Sequence, residues 1–175
     1  MKRRLPRIMN RQHSDNSCAA EDELNSALVN ADISSSYEEY LAIFDRFYAD
    51  DVTVASDTGS APLLGKARVL PILHNFLVPL HVIAEIGRVS VCLRQTSIPS
   101  DRREEHHSQW SLDLVGATRR KVTVSWSSTR RWKGSLVVYE RQSQHHQLGE
   151  PLTFLDFDLD RQTRENTATG SPYET

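Results

Sequence analysis

Arg130 has the most unusual setting of any residue in this sequence. It shares one face of a long alternating run with Val122, Val124, Trp126, Ser128 and Trp132, so its parity turns it toward an interior or the rim of one. A guanidinium placed there clamps a carboxylate or polarises a carbonyl or epoxide oxygen. The structural alternative is that it stacks on Trp132 or pairs with Glu140 across the following hairpin. His81 is the second candidate, since an imidazole takes and returns protons near neutral pH. Its alternative is to close a helix C-terminus, where a cationic ring meets the negative end of the dipole. His106-His107 and His145-His146 suggest a metal by residue type, but neighbours on a strand point to opposite faces, so no metal site is expected. Asp50-Asp51 reads as a hydrated corner and Cys92 as a small core residue. No Gly-rich phosphate loop or nucleophile elbow is present.

These side chains need elements to hold them. Leu24, Ala27, Leu28 and Ala31 recur at helical spacing, so residues 19–31 form a short helix, with Glu21, Asp22 and Glu23 at its N-terminus. Ser36 and Glu39 read as a capping box that starts a second helix. Its stripe is Tyr40, Leu41, Phe44, Phe47 and Tyr48. A strand around Val52 and Val54 follows, then a turn at Thr58-Gly59-Ser60 and a short return strand over 62–65. Residues 66–80 form a third helix that buries Val69, Leu70, Leu73, Phe76, Leu77 and Leu80, is kinked near Pro71 and ends near Pro79. Long strands are expected over 81–94, 105–117, 121–133 and 135–146, with a polar loop over 95–103. Trp110, Leu112 and Leu114 share one face of the second of these, which leaves Asp113 on the other. Helices followed by long antiparallel strands argue for α+β.

The chain has 175 residues, 38% of them hydrophobic and 25% charged, which suits one globular domain with a tail at each end. Residues 1–18 are expected as a disordered basic leader, 19–157 as the domain and 158–175 as a polar tail. A net charge of -2 gives no global field for nucleic acid or an anionic membrane. The apolar runs read as too short to span a bilayer, and no apolar segment follows the basic start, so the expected location is cytoplasmic. Cys18 and Cys92 are too few for a disulfide framework and are expected as reduced thiols.

Two motifs carry a family resemblance. One is Phe47-Tyr48-Ala49-Asp50-Asp51-Val52 followed by Gly59, Pro62 and Gly65; the other is the hairpin Arg131-Trp132-Lys133-Gly134-Ser135-Leu136-Val137. With them the chain resembles the nuclear transport factor two-like superfamily, in its SnoaL-like and ketosteroid-isomerase-like branch, over roughly residues 20–150. The resemblance implies a cone, with N-terminal helices packed on a strongly curved antiparallel sheet that encloses one pocket. It also implies a homodimer packed through the outer sheet face, where Thr123, Ser125, Ser127 and Thr129 lie.

Laid on the ketosteroid isomerase pattern, Ser56 falls at the position of the base, Ser128 at that of the acid and Asn25 near that of the tyrosine. Serine is no base near neutral pH, so that isomerase chemistry is disfavoured. Dehydratase-like members resemble this chain in having a His where His81 stands, which implies proton transfer by His81 beside Tyr40 or Tyr48, with Asp32 near the carboxylate position. Limonene-epoxide-hydrolase-like members use an Asp-Arg-Asp set, which the outward parity of Asp113 does not supply around Arg130. The resemblance thus implies a pocket lined by Phe44, Ser56, Trp110, Leu112, Trp126, Ser128, Arg130 and Trp132. Its occupant would be a hydrophobic small molecule, with cofactor-free lyase, isomerase or cyclase chemistry on a hydroxylated or carbonyl substrate. The alternative is a non-catalytic binding or dimeric interaction module of the same fold.

Overall fold

The computed structural model describes residues 9–85, 87, 89–98, 105–153 and 156–157, with side chains from Ser17 onward. Three helices, α1 (Met9–Asn30), α2 (Glu38–Phe47) and α3 (Lys66–Glu85), accompany one six-stranded sheet. The strands are β1 (Tyr48–Ser56), β2 (Leu63–Leu64), β3 (Ser90–Ile98), β4 (Glu105–Val115), β5 (Lys121–Lys133) and β6 (Leu136–Leu148). Their order is β2-β1-β6-β5-β4-β3. The expected α+β arrangement of helices on one sheet is therefore present, with one refinement. The β1–β6 pairing is parallel, so the sheet is mixed rather than wholly antiparallel. Register shifts in β1–β6 and β5–β6 break the ladder, and such irregularities bend a strand. Leu24, Leu28, Tyr40, Phe47, Tyr48, Val52, Trp110 and Val137 form the centre of the core.

Helix α1 starts at Met9, ten residues before the expected start, so residues 9–18 are helical rather than leader. Ser17, Ala20, Glu21, Leu24, Asn25 and Leu28 explain this. They recur at helical spacing and all are buried, although half of them are polar. Residues 1–8 of the expected leader, 99–103 of the expected loop and the tail 158–175 lie outside the described residues.

The expected capping box is absent. Tyr37 is the N-cap residue of α2, with no side-chain cap, and Ser36 Oγ bonds Glu38 at 2.9 Å instead. Asp32 organises this entry. Its carboxylate accepts from Ser34 N–H at 3.0 Å, Ser34 Oγ at 2.7 Å and Ser35 Oγ at 2.8 Å. Those bonds hold its carboxyl below the ordinary range.

Helix α3 runs through both prolines to Glu85, so the first long strand begins at Ser90 rather than at residue 81. Pro71 and Pro79 both lie on the exposed side. There the carbonyls left unbonded at Ala67 and Asn75, also exposed, can take water, which removes much of the cost of proline in a helix. Val69, Leu77 and Ala84 carry the buried side, whereas Phe76, expected inside, is 56% exposed along with Ile72 and Val82. By length and composition α3 is apolar enough to cross a membrane, which corrects the expectation that every apolar run is too short. β3 continues to Ile98, through residues expected as loop.

On the outer sheet face Asp113 is buried between Thr123 (2.6 Å), Lys121 (3.0 Å) and Arg94 (3.2 Å). The Thr123 hydroxyl first, then Lys121 and Arg94, hold its carboxyl below the usual value against the opposing effect of burial. A depressed folded pKa gives stability that is present above the unfolded value of about 3.9 and lost as pH falls through the folded value. Asp113→Asn should therefore cost about 1–2 kcal/mol at pH 7, a modest figure because both cations are half-exposed. Urea unfolding at pH 7 and pH 3 checks this, and the gap from the parent should narrow at the lower pH.

Candidate functional site

Four elements meet at Arg130. From β5 it lies 3% exposed, opposite Glu140 of β6 in the strand register. From α1, Glu21 and Asn25 reach the same guanidinium: Arg130 Nη1 donates to Glu21 Oε1 and Asn25 Oδ1, both at 2.9 Å. Arg130 Nε stands 3.6 Å from Glu140 Oε1, an ion pair without a hydrogen bond. From β4, Trp110 lies beneath the guanidinium, 5.4 Å from its carbon to the ring centroid. The ring under Arg130 is thus Trp110, and the cross-hairpin pairing with Glu140 is present. Burial works against the cation, but Tyr48, Glu140 and Glu21 outweigh it and hold the guanidinium more firmly protonated than usual.

The two carboxylates differ in their partners. Glu21 accepts from Arg130, from the Asn25 amide at 3.1 Å, from the Trp132 indole at 2.8 Å and from Ser108 Oγ at 3.3 Å. Three of these are N–H donors with no alternative role. Glu140 accepts from Ser128 Oγ at 2.7 Å and from the Tyr48 hydroxyl, with the Gln142 amide more distant at 3.4 Å. Hydroxyls donate or accept as required, so the main partners of Glu140 can reorient around it. Burial first, then Glu140, pushes the Tyr48 phenol well above its ordinary value, although Arg130 opposes them, so it stays protonated at neutral pH.

The expected catalytic residues divide between two places. Tyr48 belongs to the Arg130 centre. His81, Tyr40 and Asp32 converge on the α1–α2 connection. His81 stands in helix α3 rather than at the start of a strand, and both ring nitrogens have partners. Nδ1 lies 2.7 Å from Ile33 O, and Nε2 lies 3.1 Å from Glu85 one turn on. Tyr40 donates to Ala31 O at 2.8 Å, and burial above all pushes its phenol up to about 12. These residues clamp the connection onto α2 and α3. Tyr40→Phe should accordingly cost about 1 kcal/mol, read as a fall in the urea midpoint.

Of the expected pocket residues, Trp110, Ser128, Arg130 and Trp132 form the centre. Trp126 stacks on Trp110 at 6.2 Å, Leu112 is buried beside them on the same strand face, and Phe44 stacks on Tyr48 at 4.3 Å. Ser56 is not brought into the centre. It ends β1 and accepts from Thr58 N–H at 3.3 Å. Glu21, Asn25, Ser108 and Glu140 are the residues that sequence reasoning missed as site members. The legible signals were the register of Glu140 opposite Arg130 and the helical spacing of Glu21 and Asn25 around Leu24. His107 bonds Thr129 on the outer face at 2.9 Å, while His106 lies 3.3 Å from Ser17 on the inner face. Among the described residues no group of three His, Cys, Asp or Glu is arranged to hold a metal ion.

No protein-family model matches the chain, and no curated protein does. Solved structures do. An NTF2-like protein from Cytophaga hutchinsonii is 13% identical, covering 71% of this chain and 96% of its own, with a TM-score of 0.49. A putative SnoaL-like polyketide cyclase from Mesorhizobium loti gives the same figures. A Δ5-3-ketosteroid isomerase from Mycobacterium sp. is 17% identical over 76% of this chain and 98% of its own, with a TM-score of 0.45. At such identities neither residue roles nor an activity carry over from these structures to this chain.

Proposed function

We propose that this NTF2-like chain holds an apolar small molecule at the Arg130 centre and performs acid/base chemistry on it without a cofactor, as a lyase, isomerase or cyclase acting on a carbonyl or hydroxylated compound. One observation carries the reading. A cationic N–H donor, Arg130 Nε, stands 3.6 Å from a carboxylate oxygen of Glu140 and is not bonded to it. A substrate carbonyl that accepts from Arg130 is polarised, so the carbon beside it becomes acidic. Glu140 then takes that proton, while Tyr48 and Ser128 turn their hydroxyls to suit the new state. Glu21 has no such freedom, and its role is to fix Arg130 in place. Proton handling moves in this reading from His81, whose nitrogens are engaged at Ile33 and Glu85, to Glu140.

The second reading is a binding module without turnover. It is favoured by the number of side chains in the centre that already satisfy one another. A panel of one- to three-ring apolar ketones and β-hydroxy ketones, followed by mass spectrometry for loss of water or a moved double bond, separates the two. Turnover of a panel member should fall about 10²–10⁴-fold in Glu140→Gln. Binding with no product from any member would support the module and end the enzyme reading.

A further inference from the structure

Among the described residues, two buried side-chain nitrogens lack a hydrogen-bond partner in the protein: Trp110 Nε1 and Arg130 Nε. They belong to side chains 2% and 3% exposed that lie one over the other. Of the neighbouring donors, Arg130 Nη1 is matched by Glu21 and Asn25, and Trp132 Nε1 by Glu21. A buried N–H without an acceptor is costly, and an oxygen that accepts from such a donor removes that cost.

The charge around them limits what can bring it. The single guanidinium already faces two carboxyl groups, Glu21 and Glu140, so a third carboxylate would enter beside them with no free cation to meet it. The surroundings are aromatic and apolar: Trp110 and Trp126 lie parallel, with an interplanar angle of 9°, next to buried Leu112. We infer that Trp110 Nε1 and Arg130 Nε form the oxygen-anchoring subsite of the centre, selective for an uncharged carbonyl or ether oxygen on an apolar ring and excluding carboxylic acids of the same shape. This rests on the reading that the centre takes a ligand and names the class it takes; it does not depend on turnover.

The test uses ¹⁵N-labelled full-length protein titrated with cyclohexanone and, separately, with cyclohexanecarboxylate. The Trp110 indole signal, one of three, is assigned by its loss in Trp110→Phe, which keeps an aromatic ring in place. The ketone should shift the Trp110 and Arg130 Nε–H signals saturably, and the carboxylate should bind about 100-fold more weakly or worse. Trp110→Phe should weaken ketone binding about tenfold. Equal binding of the carboxylate, no shift with the ketone up to its solubility (donors served by water only), or ketone affinity unchanged in Trp110→Phe overturns the inference. Shifts without turnover in the parent would sink the enzyme reading alone, and turnover without shifts would sink the subsite alone.

Discussion

Arg130→Met should lower folding stability by about 3–5 kcal/mol, a large share of the roughly 5–15 kcal/mol that a domain of this kind possesses. Removing the guanidinium leaves Glu21 and Glu140 as buried carboxylates without a cation, and it orphans Asn25 Oδ1. The apolar volume gained does not offset uncompensated buried charge. Urea unfolding followed by tryptophan fluorescence measures the loss. A cost under about 1 kcal/mol would mean that water reaches the carboxylates once the guanidinium is gone.

Glu21→Gln and Glu140→Gln should differ sharply, although they are the same substitution at two ends of one cluster. At Glu21 both oxygens accept from N–H groups, Arg130 and Asn25 on one and Trp132 on the other. An amide turned either way aims its NH₂ at a donor, so Glu21→Gln should cost about 1–3 kcal/mol. At Glu140 the close partners are the hydroxyls of Ser128 and Tyr48, which can accept from the new amide. Glu140→Gln should thus change stability by less than about 1 kcal/mol while abolishing the proton transfer assigned to it. Paired denaturation curves decide the matter. Equal costs at the two sites would remove the distinction between a fixed anchor and a proton carrier.

The strand half of this centre was legible, and the helix half was not. The period-2 alternation of β5 fixes Ser128, Arg130 and Trp132 on one face, and a tight hairpin sets Glu140 opposite Arg130. The Phe44–Tyr48 stripe likewise delivered Tyr48 to the interior. Helix α1 escaped because its buried face is half polar. Glu21 beside Asp22 and Glu23 reads as an acidic first turn unless a cation on the sheet is already known. His81 was placed on a strand because Pro79 reads as a helix end, whereas solvent on that side of α3 lets the helix continue. The capping box failed for a similar reason, since a turn built on Asp32 preceded it and reset the helix start.

The most direct test of Glu140 as the group that moves a proton beside Arg130 is solvent deuterium exchange, followed by ¹H NMR, at the carbon next to the carbonyl of the ketones in the panel. The parent protein should exchange those protons with D₂O faster than buffer does for at least one ketone, and Glu140→Gln should return the rate to that of buffer with the fold intact. Exchange no faster than buffer for every ketone that binds, or exchange undiminished in Glu140→Gln, would contradict the account.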